Sequence, residues 1–98
     1  MLQIPNDKIQ DFCHRWKVTE LALFGSVLRG DFGPDSDVDV LITFSDSVHW
    51  SLFDLVDMTE ELKTIFRREV DLVEKKALRN PFRRHAILPN REIIYATG

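Results

Sequence analysis

Apolar side chains near the start of the chain recur every three or four residues, which is the spacing of an α-helix. Ile9, Phe12, Cys13 and Trp16 follow this spacing and therefore fall on one side of the predicted helix. Pro5 precedes them, and proline suits a first helical turn because no intrahelical partner exists there for a backbone N–H. The pattern predicts a first helix that begins near Pro5 and buries one face.

Four other stretches have the length and alternation of β-strands. They are Val18 to Phe24, Asp37 to Phe44, Glu69 to Val73 and Glu92 to Tyr95. In the second stretch, Val38 and Val40 point to one face while Asp37 and Asp39 point to the other, because successive residues of a strand alternate. The first stretch stops at Gly25-Ser26, which predicts a strand that ends in a tight turn.

Two further helices are indicated by residues that can cap their first turns. Ser51 can cap a long helix that runs to about Arg67, and Asn80-Pro81 can open a short one. The apolar stripe of the long helix consists of Leu55, Met58, Leu62, Ile65 and Phe66. The alternation of helices and strands along the chain predicts an α/β domain.

The composition excludes several classes of protein. The chain has 98 residues, of which 44% are hydrophobic and 30% charged, and we expect one domain over residues 1–98. The longest aliphatic run, Val40-Leu41-Ile42, is far shorter than the ~20 residues that span a bilayer. Residues 5–7 interrupt any secretory signal, and Cys13 is the only cysteine, so neither a disulfide nor a cysteine metal cluster is expected. These features predict a cytoplasmic protein that does not contact a membrane.

The charges are unevenly distributed. Residues 1–60 carry eleven acidic and four basic side chains, whereas residues 61–98 carry five acidic and nine basic ones. Five of these basic residues form a basic run, namely Lys75, Lys76, Arg79, Arg83 and Arg84. A net charge of −3 argues against general nucleic-acid binding. The basic run is either a solvated surface or a patch for an acidic partner or RNA.

Gly25-Ser26 is a candidate anion-binding turn. Backbone N–H groups at the start of the helical turn after a strand favour an anion, and glycine allows a phosphate to approach the backbone closely. Ser26 adds a hydroxyl donor, and Arg29, about one turn later, could reach the same anion. Alone, this pattern is more often an ordinary turn.

Asp37 and Asp39 are candidate metal ligands. Residues two apart on a strand project to the same face, so both carboxylates enter one small volume, where they repel each other unless a cation lies between them. Carboxylate oxygens are the ligands that Mg²⁺ prefers, together with phosphate oxygens and water. The alternative is a polar strand end that faces solvent.

Three other motifs that use such residues do not fit. An EF-hand loop that began at Asp35 would need glycine where Val40 stands and glutamate where Asp46 stands. In an aspartyl-phosphate phosphatase the apolar strand precedes the first aspartate, whereas here residues 33–36 are Gly-Pro-Asp-Ser. The sequence contains no P-loop motif.

The two candidate sites occur together at a fixed spacing, with Gly25-Ser26, ten intervening residues and then Asp37-x-Asp39 at the start of an aliphatic strand. This combination resembles the signature of the DNA-polymerase-beta-like nucleotidyltransferase superfamily. The likeness is strongest to its minimal (MNT) branch, which comprises small proteins often partnered with HEPN-domain toxins in toxin–antitoxin systems. It extends from the first strand to Tyr95. The family pattern includes a third carboxylate on a later strand, which Asp71 matches. It also implies a small mixed sheet flanked by helices.

The resemblance implies a Mg²⁺-dependent nucleotidyltransferase that uses ATP. Asp37 and Asp39 would hold two Mg²⁺ ions, and Asp71 would complete the catalytic metal site and orient the attacking hydroxyl. Gly25 and Ser26 would bind the β- and γ-phosphates, with Arg29 as a helper. The implied acceptor is a tyrosine of a HEPN toxin, so that the chain would act as an antitoxin by adenylylation. The alternative is a catalytically weak binding module of the same fold that neutralises its partner by occlusion.

Overall fold

The computed structural model of the protein describes residues 2–29 and 32–97, and its elements follow the order that the sequence predicts. Within these residues the α-helices are α1 (Asn6–Arg15), α2 (Leu52–Phe66) and α3 (Pro81–Ile87). The strands are β1 (Val18–Phe24), β2 (Val38–Phe44), β3 (Val70–Glu74) and β4 (Glu92–Ala96). Short helical turns cover Gly25–Leu28, Lys75–Ala77 and Leu88–Asn90. The predicted boundaries, including a first helix that begins near Pro5, are confirmed to within one residue.

The strands form one mixed sheet in the order β3-β2-β1-β4. β1 is antiparallel to both β2 and β4, whereas β2 and β3 are parallel. The parallel pair is possible because α2 carries the chain back along the sheet between the two strands. The predicted fold class, a small mixed sheet flanked by helices, is confirmed.

Helices α1 and α2 pack on one face of the sheet and enclose the larger core. The buried side chains that the two helices contribute are Ile9, Phe12, Cys13, Met58, Leu62 and Phe66. From β2, Val38, Val40 and Ile42 face this core, as the alternation predicts. Burial raises the pKa of the Cys13 thiol to about 12, so this cysteine is a packing residue and not a nucleophile.

The opposite face of the sheet carries a smaller core beneath α3. It consists of Ala22, Phe24, Leu41, Leu78 and Ile87. β1 is therefore buried on both faces, which explains why its sequence is a nearly continuous apolar run. The smaller core matters for function because the face that it occupies is the one to which Asp39 points.

The ends of α2 determine where the chain enters β3. The Ser51 hydroxyl accepts a hydrogen bond from the backbone N–H of Asp54 at 3.2 Å, and the Asp54 carboxylate accepts one from the Ser51 N–H at 2.8 Å. This reciprocal pair satisfies two N–H groups at the start of the helix. At the other end, Arg67 adopts a left-handed conformation with φ of 57° that ends the helix. In the part of the chain that the structure describes, none of the helices combines the length and apolar character of a membrane span.

Candidate active site

Asp39 on β2 and Asp71 on β3 are directly paired across the two parallel strands. Because adjacent strands lie roughly 4.8 Å apart and paired residues point to the same face, the two carboxylates project side by side. Asp39 is half-buried and Asp71 is exposed. The strand register therefore brings together two of the three acidic residues that the sequence singled out, although 31 residues separate them along the chain.

Asp37 lies just before β2, in an exposed position that its neighbours hold in place. The backbone N–H of Val38 donates to the carbonyl of Glu69 at 2.8 Å, which extends the parallel pairing to the start of the strand. The Arg68 guanidinium donates to the carbonyls of Gly33 and Ser36, the latter at 2.9 Å. Arg68 thus ties the segment that precedes Asp37 to the end of α2.

Gly25 makes the closest approach to the acidic residues. Its φ is +73°, a conformation that residues with a side chain rarely adopt. A Cβ on this residue would overlap Oδ2 of Asp39 and would lie 3.1 Å from its Cγ. Phe24 and Asp39 are paired across the antiparallel strands, so the turn begins directly beside the carboxylate. Glycine is required here for two independent reasons, the backbone conformation and the space that Asp39 occupies.

The electrostatic environment of Asp39 reflects this crowding. Burial raises the pKa of the Asp39 carboxyl above its usual range, and the negative charges of Asp71 and Asp37 raise it further. The positive charge of Arg29 and the backbone N–H of Ser26 act in the opposite direction and partly offset the rise in this pKa. All six residues predicted from the sequence therefore lie in one region, around Asp39.

The chemistry of these side chains fits a hard divalent cation such as Mg²⁺. The Asp37, Asp39 and Asp71 carboxylates offer oxygen ligands, and a cation beside Asp39 would offset both its burial and the repulsion from the other two, which together raise its pKa. Within residues 2–29 and 32–97, no three acidic, histidine or cysteine side chains converge closely enough to hold a metal ion by themselves. Mg²⁺ is commonly bound by only one or two carboxylates together with substrate phosphates and water, so the donor set still fits.

A cleft of about 570 Å³ opens beside the carboxylates. The turn after β1 lines one side of it through Gly25, Leu28 and Arg29, and Asp39 reaches it from β2. Its volume lies within the range of small-molecule sites, which is about 300–1,000 Å³. Leu28 is 37% exposed and forms part of this wall.

Two residues that the sequence analysis did not single out belong to this region. Arg68 belongs to none of the motifs, and nothing in a sequence shows which carbonyl groups an arginine will reach. Arg83 was grouped with the basic run of residues 75–84, yet the structure places it in the lining of the cleft. Its only sequence signal is a position two residues after the Pro81 that opens α3.

Comparison with known proteins agrees with this geometry. The model of the nucleotidyltransferase domain family matches residues 6–94. The chain belongs to this family. Protein adenylyltransferase MntA of Thermococcus cleftensis is 35% identical over 81 residues, which are 83% of this chain and 77% of that protein. MJ1379 of Methanocaldococcus jannaschii, a candidate protein adenylyltransferase, is 33% identical over 81 residues, or 83% of this chain and 79% of the relative.

Solved structures place the chain in the minimal branch of the family. A candidate minimal nucleotidyltransferase superimposes with a TM-score of 0.71 at 28% identity, over 88% of this chain and 85% of the other. A toxin–antitoxin structure with AMP-PNP superimposes with a TM-score of 0.76 at 19% identity, over 95% of this chain and 74% of the other. The structure of the tri-AMPylated HEPN toxin of Shewanella oneidensis with its MNT antitoxin superimposes with a TM-score of 0.67 at 17% identity, over 94% of this chain and 70% of the other. The minimal nucleotidyltransferase family and the enzyme class, nucleotidyltransferase, are confirmed as predicted.

Proposed function

We propose that this protein transfers AMP from ATP to a hydroxyl group of a partner protein, and that this acceptor is a tyrosine of a HEPN-domain toxin. The relatives named as protein adenylyltransferases support transfer to a protein. The structures of toxin–antitoxin complexes with the same fold support a HEPN partner, and one of those toxins is AMPylated. In this role the protein is an antitoxin that inactivates its partner by covalent modification.

The observation that carries the proposal is the placement of Asp39 between Asp71 and the Gly25 turn. An adenylyltransferase needs a phosphate-binding turn directly beside the carboxylates that hold the cation, and strand pairing on both sides of β2 supplies this arrangement. We assign the Gly25 backbone N–H and the Ser26 hydroxyl to the β- and γ-phosphates, with Arg29 as an additional cation. Asp37, Asp39 and Asp71 would hold Mg²⁺.

In the reaction, the acceptor hydroxyl oxygen attacks the α-phosphorus of ATP. The bond between the α-phosphorus and the α,β-bridging oxygen breaks, pyrophosphate leaves, and AMP remains as a phosphodiester on the acceptor. Two Mg²⁺ ions, when bound, would neutralise negative charge on the reacting phosphates. We assign to Asp71 the orientation of the hydroxyl and the acceptance of its proton, because its exposed carboxylate lies on the open side of Asp39.

The test is a labelling experiment with the full chain, Mg²⁺ and a HEPN-domain protein from the same genome. ATP labelled at the α-phosphate should label the partner, whereas ATP labelled at the γ-phosphate should not. A partner in which the acceptor tyrosine is replaced by phenylalanine is the matched control and should remain unlabelled. Transfer of the γ-label would instead indicate a kinase. A stable complex without any label would refute the transferase and favour the binding module that acts by occlusion.

A further inference from the structure

The second wall of the cleft beside Asp39 is formed by α3 and the helical turn that follows it. Arg83, Ala86, Ile87 and Asn90 line this wall. Ala86 and Ile87 follow Arg83 by three and four residues, so these three lie on one face of α3, and Asn90 follows on the helical turn. Ile87 is 8% exposed and belongs to the smaller core, which anchors this face against the sheet. The position of Arg83 in the cleft is therefore fixed by the packing of α3.

The start of α3 holds the backbone of Arg83 independently of its side chain. The side-chain oxygen of Asn80 accepts hydrogen bonds from the N–H groups of Phe82 at 2.9 Å and of Arg83 at 3.2 Å. The Arg83 side chain itself is exposed. The guanidinium group is consequently available at the cleft, and its removal should leave the cap and the core intact.

The charges divide the site into two ends. Arg83 on the α3 wall and Arg29 on the opposite wall contribute positive charge to the cleft, where Asp39 is the acidic residue. Asp37 and Asp71 are not among the described residues that line the cleft, and both are exposed. A triphosphate bound with its α-phosphate at the carboxylates would therefore extend its β- and γ-phosphates toward the two arginines.

We propose that Arg83 binds the β- and γ-phosphates of the nucleotide, opposite the Gly25-Ser26 turn, and remains bound to the departing pyrophosphate. This inference rests on the proposed function, because it assigns the orientation of ATP in that same site. Arginine suits this position because its planar guanidinium can donate two parallel hydrogen bonds to phosphate oxygens. Arg83 is thereby a phosphate-binding residue that the known sequence motif does not include.

The test compares Arg83→Ala with Arg79→Ala by calorimetric titration in the presence of Mg²⁺. Arg79 is a matched control, because it is an exposed arginine of the same basic run and is not one of the described residues that line the cleft. Arg83→Ala should weaken the binding of ATP and of pyrophosphate about tenfold or more, whereas AMP should bind as to the wild type. Arg79→Ala should change each of these affinities less than about twofold, because salt screens an exposed charge that does not line the cleft. Arg83→Lys should fall between the two, since it keeps the charge and loses the paired donors.

Three results would overturn the assignment. The first is an unchanged affinity of Arg83→Ala for pyrophosphate. The second is a loss of ATP and pyrophosphate affinity in Arg79→Ala that equals the loss in Arg83→Ala. The third is a loss of AMP affinity in Arg83→Ala as large as its loss of ATP affinity, which would place Arg83 at the nucleoside end. The melting temperature of each variant checks that it is folded. Since binding is measured without an acceptor, failure of the proposed protein transfer is seen separately, as ATP binding without modification of the partner. A wild-type protein that bound neither ATP nor pyrophosphate would refute both proposals.

Discussion

Gly25 and Asp39 are so close that no side chain fits between them, because a Cβ on Gly25 would overlap Oδ2 of the carboxylate. Gly25 directly follows Phe24, the last residue of β1, and Phe24 is paired with Asp39 on β2. The pairing of the two strands thus places the turn that we assign to phosphate binding in contact with the Asp39 carboxylate. We expect this contact to support both stability and activity.

Gly25→Ala should destabilise the protein and abolish most of its activity. Alanine at a φ of +73° costs about 1–2 kcal/mol, and the added methyl group would also displace the Asp39 carboxylate. Urea denaturation should show this loss of unfolding free energy. The rate of adenylylation should fall at least tenfold, which corresponds to a rise of about 1.4 kcal/mol in the activation free energy. Gly33→Ala is the matched control, since the nearest atom to its added Cβ would be the Ser36 hydroxyl at 4.0 Å. Equal stability and activity in the two variants would contradict the contact.

The stability of the metal-free protein should fall as the pH rises through the range in which Asp39 ionises. The pKa of Asp39 is raised in the folded protein, so between its unfolded and folded values the native state binds more protons than the unfolded state. Unfolding free energy therefore decreases with increasing pH across this window, and the whole cost is present above the folded-state pKa of Asp39. Urea denaturation in EDTA at a series of pH values should show this decrease, and Asp39→Asn should reduce it.

The control for this pH dependence is Asp57→Asn, which removes an exposed carboxylate from α2, on the other side of the sheet. It should keep the pH dependence of the wild type. If Asp39→Asn and Asp57→Asn gave the same profile as the wild type, the repulsion among Asp37, Asp39 and Asp71 would contribute nothing measurable to stability.

Asp71→Asn should separate activity from stability. Asp71 is exposed and is paired with Asp39, so its replacement removes a proposed metal ligand and a repulsive charge but little packing. We expect adenylylation to fall about a hundredfold or more, whereas the unfolding free energy stays within about 0.5 kcal/mol of the wild type or rises. Initial rates of AMP transfer and urea denaturation measure the two effects.

Glu69→Gln is the matched control for Asp71, because Glu69 lies two residues earlier and its carboxylate pairs with Lys63 at 3.4 Å. Glu69→Gln should retain nearly full activity. It should also leave the unfolding free energy nearly unchanged, since an exposed ion pair of this kind contributes little to stability. Comparable losses of activity in the two variants would show that the charge of the region matters and that the pairing of Asp71 with Asp39 does not.

Arg68→Ala should raise the Mg²⁺ concentration that the enzyme needs. Besides its bonds to two carbonyl groups, the Arg68 guanidinium lies 4.4 Å from the ring centroid of Phe32. Its loss would free the segment before Asp37 and should cost about 1–3 kcal/mol of unfolding free energy. Titration of the transfer rate with Mg²⁺ should give a severalfold higher half-saturation, because Asp37 is no longer held in position.

Arg67→Ala is the control for this effect, since Arg67 is an exposed neighbour whose left-handed conformation costs alanine no more than arginine. It should change the Mg²⁺ dependence little. Arg68→Lys should not restore the wild-type value, because an ammonium group cannot reproduce the fork that reaches two carbonyls and stacks on a ring. A wild-type Mg²⁺ dependence in Arg68→Ala would remove Arg68 from the positioning of Asp37.

The amino-acid sequence by itself determined the helices, the strands and the motif that identifies the family. These are local properties, because the alternation in β2 and the caps of α2 and α3 depend on residues within a few positions of one another. The spacing of Gly25-Ser26 and Asp37-x-Asp39 is likewise contained in one short segment.

Only the tertiary structure decided which distant residues meet. A slip of one residue between β2 and β3 would turn Asp71 away from Asp39, and it is burial of Val70 and Val38 in the same core that prevents this slip. The partners of Arg68 and the place of Arg83 in the cleft depend in the same way on how α2 and α3 pack against the sheet. Such contacts join segments that are remote in the chain, and no local pattern of side chains encodes them.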